Sequence, residues 1–187
     1  MSKLNVDQKA IIDLLSDKKA DFLIPDYQRP YAWSEEQCQT QWHDIFLFSF
    51  PDNNYEAFDD NEEYFLGSIV TYKNENGKSE VIDGQQRLTT LMLMLRAFYD
   101  KVESMKDKNS ILTRDRIEKC IWKTDTFGTA DKNTLKIDSE VATDNDKDEF
   151  LDLLRTGVVK KGSKSQYVLN YQFFQKKIDE FLQEFPS

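Results

Sequence analysis

The spacing of apolar and polar residues predicts a mixed protein. Between positions 5 and 19, Val6, Ala10, Ile11, Leu14 and Leu15 fall on one helical face, and Asn5 stands where a cap would. Phe22-Leu23-Ile24 reads as a short strand stopped by Pro25. Pro25 and Pro30 exclude a helix and force an extended or turning arm from Asp26 through Trp33. Ser34, with Gln37 three residues on, opens a helix with a capping-box pattern; its stripe is Cys38, Trp42, Ile45, Phe46 and Ser49. Positions 51–63 form an acidic loop. Positions 64–72 have the β-branched and aromatic content of a strand, and Gly67 inside it marks a close approach by another backbone or a ligand. Asn74-Glu75-Asn76-Gly77 is a turn, and positions 79–82 return as the partner strand, so the hairpin ends at Asp83.

From Leu88 the period becomes helical. Leu88, Leu91, Met92, Leu95, Phe98, Tyr99 and Val102 form a broad apolar face, and Leu93 and Met94 extend it nearly all round, which predicts a central buried helix. Beyond it the pattern predicts a polar stretch at 103–110, a short helix at 113–122, a loop at 125–133 and a brief strand at 135–137. A helix at 144–155 stopped by Gly157 follows, then a basic loop at 158–165 and an amphipathic helix at 167–185. The expected class is α+β: a small mixed β-sheet with packed helices, followed by a helical C-terminal extension. The core is expected over 1–102 and the extension over 103–187. The apolar face of the last helix implies a partner, as at the start of a longer native chain.

Composition narrows the options. The chain has 187 residues, 13 Phe, 8 Tyr and 3 Trp against only 4 Pro and 6 Gly, which is a packed domain and not a linker. The formal net charge of −9 opposes broad contact with nucleic acid, whose affinity comes mostly from phosphate neutralisation. Any DNA contact is therefore local or belongs to another region. No run has the length of a membrane span, no N-terminal signal pattern is present, and a cytoplasmic location is expected. Cys38 and Cys120 make neither a disulfide framework nor a metal spacing, and His43, the single histidine, reads as a surface residue.

Chemistry concentrates at the strand-to-helix junction Asp83-Gly84-Gln85-Gln86-Arg87-Leu88-Thr89-Thr90. Gly84 admits a conformation other residues avoid and lets a ligand approach the backbone. The amides after it open a helix, where free N–H groups favour an anion. Arg87 can grip phosphate oxygens, and Thr89 and Thr90 can bond a phosphate or cap the helix. Asp83 can hold Mg²⁺ or orient a water, with Gln85 or Gln86 positioning it. The competing structural account has Asp83 and Thr89 as caps and Arg87 in a buried ion pair. The junction is not a P-loop, which ends in Gly-Lys-Ser/Thr. Tyr27, Gln28, Arg29, Tyr31 and Trp33 form a second cluster, suited to stacking a base with a guanidinium on its phosphate, or to clamping the arm on the core.

Three segments in order, Ile24-Pro25-Asp26-Tyr27-Gln28-Arg29-Pro30-Tyr31-Ala32-Trp33, Phe65-Leu66-Gly67-Ser68-Ile69-Val70 and Val81-Ile82-Asp83-Gly84-Gln85-Gln86-Arg87-Leu88-Thr89-Thr90-Leu91, resemble the N-terminal domain family of GmrSD-type, modification-dependent restriction endonucleases. Leu169-Asn170-Tyr171 with Phe174 is similar to the family pattern too. The resemblance implies a ParB/sulfiredoxin-like fold and nucleoside triphosphate binding and hydrolysis with Mg²⁺. Asp83, Gly84, Gln85, Gln86 and Arg87 would then serve phosphates and metal, with Asp83 the metal ligand. Tyr27, Gln28, Arg29, Tyr31 and Trp33, beside Gly67, would cover the rest of the nucleotide. It also implies modified DNA as a partner of the full-length protein and a C-terminal nuclease domain or subunit of the His-Asn-His type, which this chain does not carry. The alternative is a non-catalytic, nucleotide-gated or DNA-sensing module, and a third reading is a structural interaction domain.

Overall fold

The computed structural model describes residues 6–59 and 61–185. Its centre is helix α3 (Gln85–Val102), with Leu88, Leu91, Met92, Leu93, Met94, Ala97 and Tyr99 all buried. Each large apolar side chain so enclosed contributes about 1.5–3 kcal/mol relative to exposure, enough to fix α3 as the element on which the others pack. Six α-helices are described: α1 (Ile11–Ser16), α2 (Glu35–Ser49), α3, α4 (Lys108–Ile121), α5 (Lys147–Thr156) and α6 (Gln166–Glu184). A four-stranded mixed sheet has the order β2 (Val70–Lys73), β3 (Ser79–Asp83), β1 (Phe22–Ile24), β6 (Ile137–Ser139). β1 runs parallel to both neighbours, and β2 pairs antiparallel with β3. β4 (Trp122–Thr124) and β5 (Ala130–Leu135) make a separate hairpin. The α+β class is as expected, and the hydrophobic core runs without a break from Leu15 to Ile178.

Several boundaries differ from the pattern. The first helix starts only at Ile11, because Val6 is 90% exposed and finds nothing to pack on; Asn5, its expected cap, lies outside the described residues. The strand expected at 64–72 is confined to Val70–Lys73, because the chain before it turns at Gly67 and crosses the start of α3. The loop expected at 125–133 contains the turn of the β4–β5 hairpin, where the Asp125 carboxylate accepts from the N–H groups of Phe127 and Thr129. The brief strand at 135–137 divides between β5 and β6. In α2 the capping box is present, with Gln37 Oε1 accepting from the N–H and hydroxyl of Ser34, but Ser49 faces solvent and Gln41 is the buried polar residue.

The last helix finds its partners within the chain. α6 lies along α3 and touches α2, where Trp42, Phe46 and Phe50 meet Phe98, Phe174 and Phe181. The acidic stretch after α2 holds two 3₁₀ turns, Pro51–Asn53 and Tyr55–Ala57, and His43 is exposed on α2. No described helix is long and apolar enough to cross a membrane.

Candidate functional site

Gly84 sits between β3 and α3 with φ of +87°, a left-handed conformation that ends the strand and starts the helix in one residue. No side chain caps α3. The N–H groups of Gln85, Gln86 and Arg87 therefore stand at a helix end without a side-chain cap, where the dipole favours an anion. The capping account is excluded: among the described residues the exposed Asp83 carboxylate accepts no hydrogen bond and makes no ion pair, and Arg87 has no carboxylate partner.

A loop crosses this junction. A Cβ on Gly84 would stand 2.7 Å from the Ser68 carbonyl oxygen and 3.1 Å from Ile69 Cα. The open side of Gly84 is thus filled by backbone, correcting the expectation that a ligand approaches there. Arg87 Nη1 donates to Ser68 O at 2.9 Å, and its guanidinium packs on Gly67, whose φ is +100°. Gly67 is closely approached, but by the Arg87 side chain and not by the backbone or ligand expected there. Gly67→Ala would put a Cβ 2.5 Å from Arg87 Cζ and force a left-handed alanine. A loss of about 1–2 kcal/mol is expected in denaturant titration, with the guanidinium expelled.

The two glutamines hold the arm. Gln86 Oε1 accepts from Ala32 N at 2.7 Å and Nε2 donates to Pro30 O at 3.1 Å, so both amide atoms are used. Gln85 Nε2 donates to Arg29 O at 3.1 Å, while its Oε1 is buried without a partner. From the arm, Gln28 Nε2 reaches back to Ile82 O at 2.9 Å and Val81 O at 3.2 Å on β3. These five bonds bind residues 28–32 to the junction, and the two predicted clusters form one assembly.

Within the arm the roles divide. Tyr31 is buried and stacks on Tyr167 with centroids 4.8 Å apart. Its hydroxyl lies 2.7 Å from Thr90 Oγ1 and accepts from Asn170 Nδ2 at 2.8 Å. Burial, reinforced by the neighbouring Cys38, pushes the Tyr31 hydroxyl far above its ordinary pKa, so it stays neutral. Trp33 is half-buried against the core, and its carbonyl accepts from Asn170 Nδ2 at 2.7 Å. Tyr31 and Trp33 therefore clamp the arm, and Thr89 and Thr90 are buried in α3 with Thr90 bonded to Gln86 O. Tyr27, 64% exposed, and Arg29, exposed and without an ion-pair partner among the described residues, remain free to meet a ligand.

The residue sequence reasoning missed is Ser139, at the end of β6, with a buried hydroxyl that has no partner. Nothing in its local pattern could have marked it, since only the pairing of Ser139 with Ile24 brings it near the arm. Asn170 was noticed as part of a motif, but its contact with Tyr31 and Trp33 needs the fold.

No three His, Cys, Asp or Glu residues gather to hold a metal among the described residues.

In comparison with known proteins, the family described as GmrSD restriction endonuclease, N-terminal domain, matches residues 11–185, nearly the whole chain. None of the curated proteins matches it.

Proposed function

We propose that this chain, which belongs to the GmrSD restriction endonuclease N-terminal domain family, binds a nucleoside triphosphate at the Asp83–Arg87 junction and regulates a restriction or phage-defence protein through it. The observation that carries this reading is the uncapped α3 N-terminus, flanked by the Arg29 and Arg87 guanidinium groups and the Asp83 carboxylate, none of which has an ion-pair partner among the described residues. Anionic phosphate fits the amide end of the helix and the two guanidinium groups. Asp83 would hold Mg²⁺, which when bound neutralises phosphate charge. Tyr27 is the exposed ring available to a base. Gln86 is a positioning residue, since its amide is committed to the arm.

Hydrolysis would need a water oriented by Asp83, whose carboxylate has no partner among the described residues. That Gln86 is fully engaged and Gln85 half engaged favours, as the second reading, a module that binds nucleotide and switches without cleaving it. Modified DNA and a His-Asn-His-type nuclease domain or subunit would be the partners in the full-length protein, in a cytoplasmic setting.

Calorimetric titration of the four NTPs with Mg²⁺ tests the binding. At least one should bind, and Arg87→Ala should weaken it by about 10–100-fold, the range for losing a charge-assisted bond. Unchanged affinity in a folded Arg87→Ala protein refutes the site. Phosphate release abolished by Asp83→Ala supports hydrolysis, and binding without any release supports the switch.

A further inference from the structure

Beneath the arm lies a small cavity whose wall is part apolar, from Ile24 and Val141, and part polar, from Arg29, Gln85, Thr89 and Ser139 among others. Gln85 and Ser139 are each 6% exposed, and Gln85 Oε1 and Ser139 Oγ, from α3 and β6, have no hydrogen-bond partner among the described residues. Buried polar atoms left unpaired are costly, and two in one cavity mark a place for a polar group. The cavity volume is about 10 Å³, room for one water-sized group such as a hydroxyl or amino group and too small for a base or a phosphate. Its chemistry also selects. A carbonyl oxygen accepts but cannot donate, so an anion is repelled and a donor is welcomed. At the mouth stands Arg29, whose own carbonyl is bonded to Gln85 Nε2, and whose guanidinium is free to take an anion outside.

We infer that Gln85 and Ser139 form a specificity pocket that accepts a single N–H or O–H donor of the nucleotide, with Arg29 on its phosphates. This inference rests on the proposed nucleotide site and names the part of the ligand that the site reads. Two groups carry the required donor: a ribose hydroxyl and the amino group of the base. Both would bond Gln85 Oε1 and Ser139 Oγ while the anionic end stays outside. Gln85 thereby has two tasks, since its Nε2 holds the arm and its Oε1 reads the ligand.

The test compares wild type and Ser139→Ala by titration with the best-binding NTP, its 2′-deoxy and 3′-deoxy forms, its analogue lacking the base amino group, and tripolyphosphate. Ser139→Ala removes an unpaired hydroxyl with almost no change in shape, so the fold is retained. About a tenfold loss of NTP affinity is expected, with tripolyphosphate unaffected. One of the three donor-deleted ligands should bind wild type correspondingly worse and show no further loss with Ser139→Ala, which tells ribose from base. If Ser139→Ala binds every ligand as wild type does, or if no donor-deleted ligand loses affinity, the pocket assignment is overturned while nucleotide binding stands. If wild type binds neither NTP nor tripolyphosphate, the proposed nucleotide site falls and takes the pocket with it.

Discussion

Raising the pH past about 10 is expected to unfold the protein in one cooperative step, with tyrosinate absorbance and loss of helical circular dichroism appearing together. Burial pushes the hydroxyls of Tyr31, Tyr99, Tyr167 and Tyr171 above their ordinary value of 10, Tyr99 to about 12. Three of them also face carboxylates: Tyr99 donates to Glu118 at 2.8 Å, Tyr167 donates to Asp144 at 2.5 Å and Tyr171 donates to Asp100. Burial likewise raises the Cys38 and Cys120 thiols to about 11. For these acids the folded state holds its proton in a range where the unfolded chain has released it. Their contribution to stability is complete below the unfolded values and is lost as pH rises, by roughly 1.4 kcal/mol per pH unit for each group. Lys136 acts the other way. Burial lowers its pKa, so stability rises with pH between that lowered value and 10.5. One opposing group cannot offset six, and the stability of an ordinary domain, about 5–15 kcal/mol, is consumed within a few pH units. Tyrosinate absorbance growing smoothly near pH 10 while the helical signal persists would contradict this.

Asn170→Leu is expected to lower the melting temperature by roughly 6–12 °C. Asn170 is fully buried on α6, and one amide serves three partners. Nδ2 donates to Tyr31 Oη and Trp33 O, and Oδ1 accepts from Gln166 Nε2 at 2.9 Å. Leucine has a similar volume but leaves the Trp33 carbonyl without its donor, so the cost is about 2–4 kcal/mol from polar groups stranded in the interior. The damage should be directional. Hydrogen exchange at Ala32, whose N–H reaches Gln86, should quicken before exchange in the middle of α3, because the arm loses its anchor on α6. An Asn170→Leu protein as stable as wild type, with Ala32 exchange unchanged, would mean that the glutamine bonds and the stacking of Tyr31 on Tyr167 hold the arm without Asn170.

What the sequence disclosed, and what it hid, follows from the range of the interactions. α3, α6 and the Gly157 stop were readable because their signals are local: a helical period, and a glycine just past the last turn. The strand at 64–72 was read too long because its composition is β-like while its backbone is held by Arg87, a residue nearly twenty positions away. The two clusters of the site were visible as unusual polar residues, yet their relation was not. Nothing in Gln85 or Gln86 says that their amides grasp the backbone of residues 29–32. Ser139 was hidden altogether, because a serine in a three-residue strand gains meaning only from the arm beside it.

The central place of β1 bears on how the chain is made. Phe22 pairs with Ser79 on one side and Ile137 on the other. Among the sheet strands, the one synthesised first is thus completed last, and no neighbour local in sequence can shelter it meanwhile. Parallel pairing over such separations is slow, because a long loop must close before any contact rewards it. A nascent chain halted after α3 would expose the β6 side of Phe22-Leu23-Ile24 as an unpaired apolar edge, a natural template for another chain. The strand that carries the arm into the site is therefore also the point at which unfinished molecules are most open to wrong pairing.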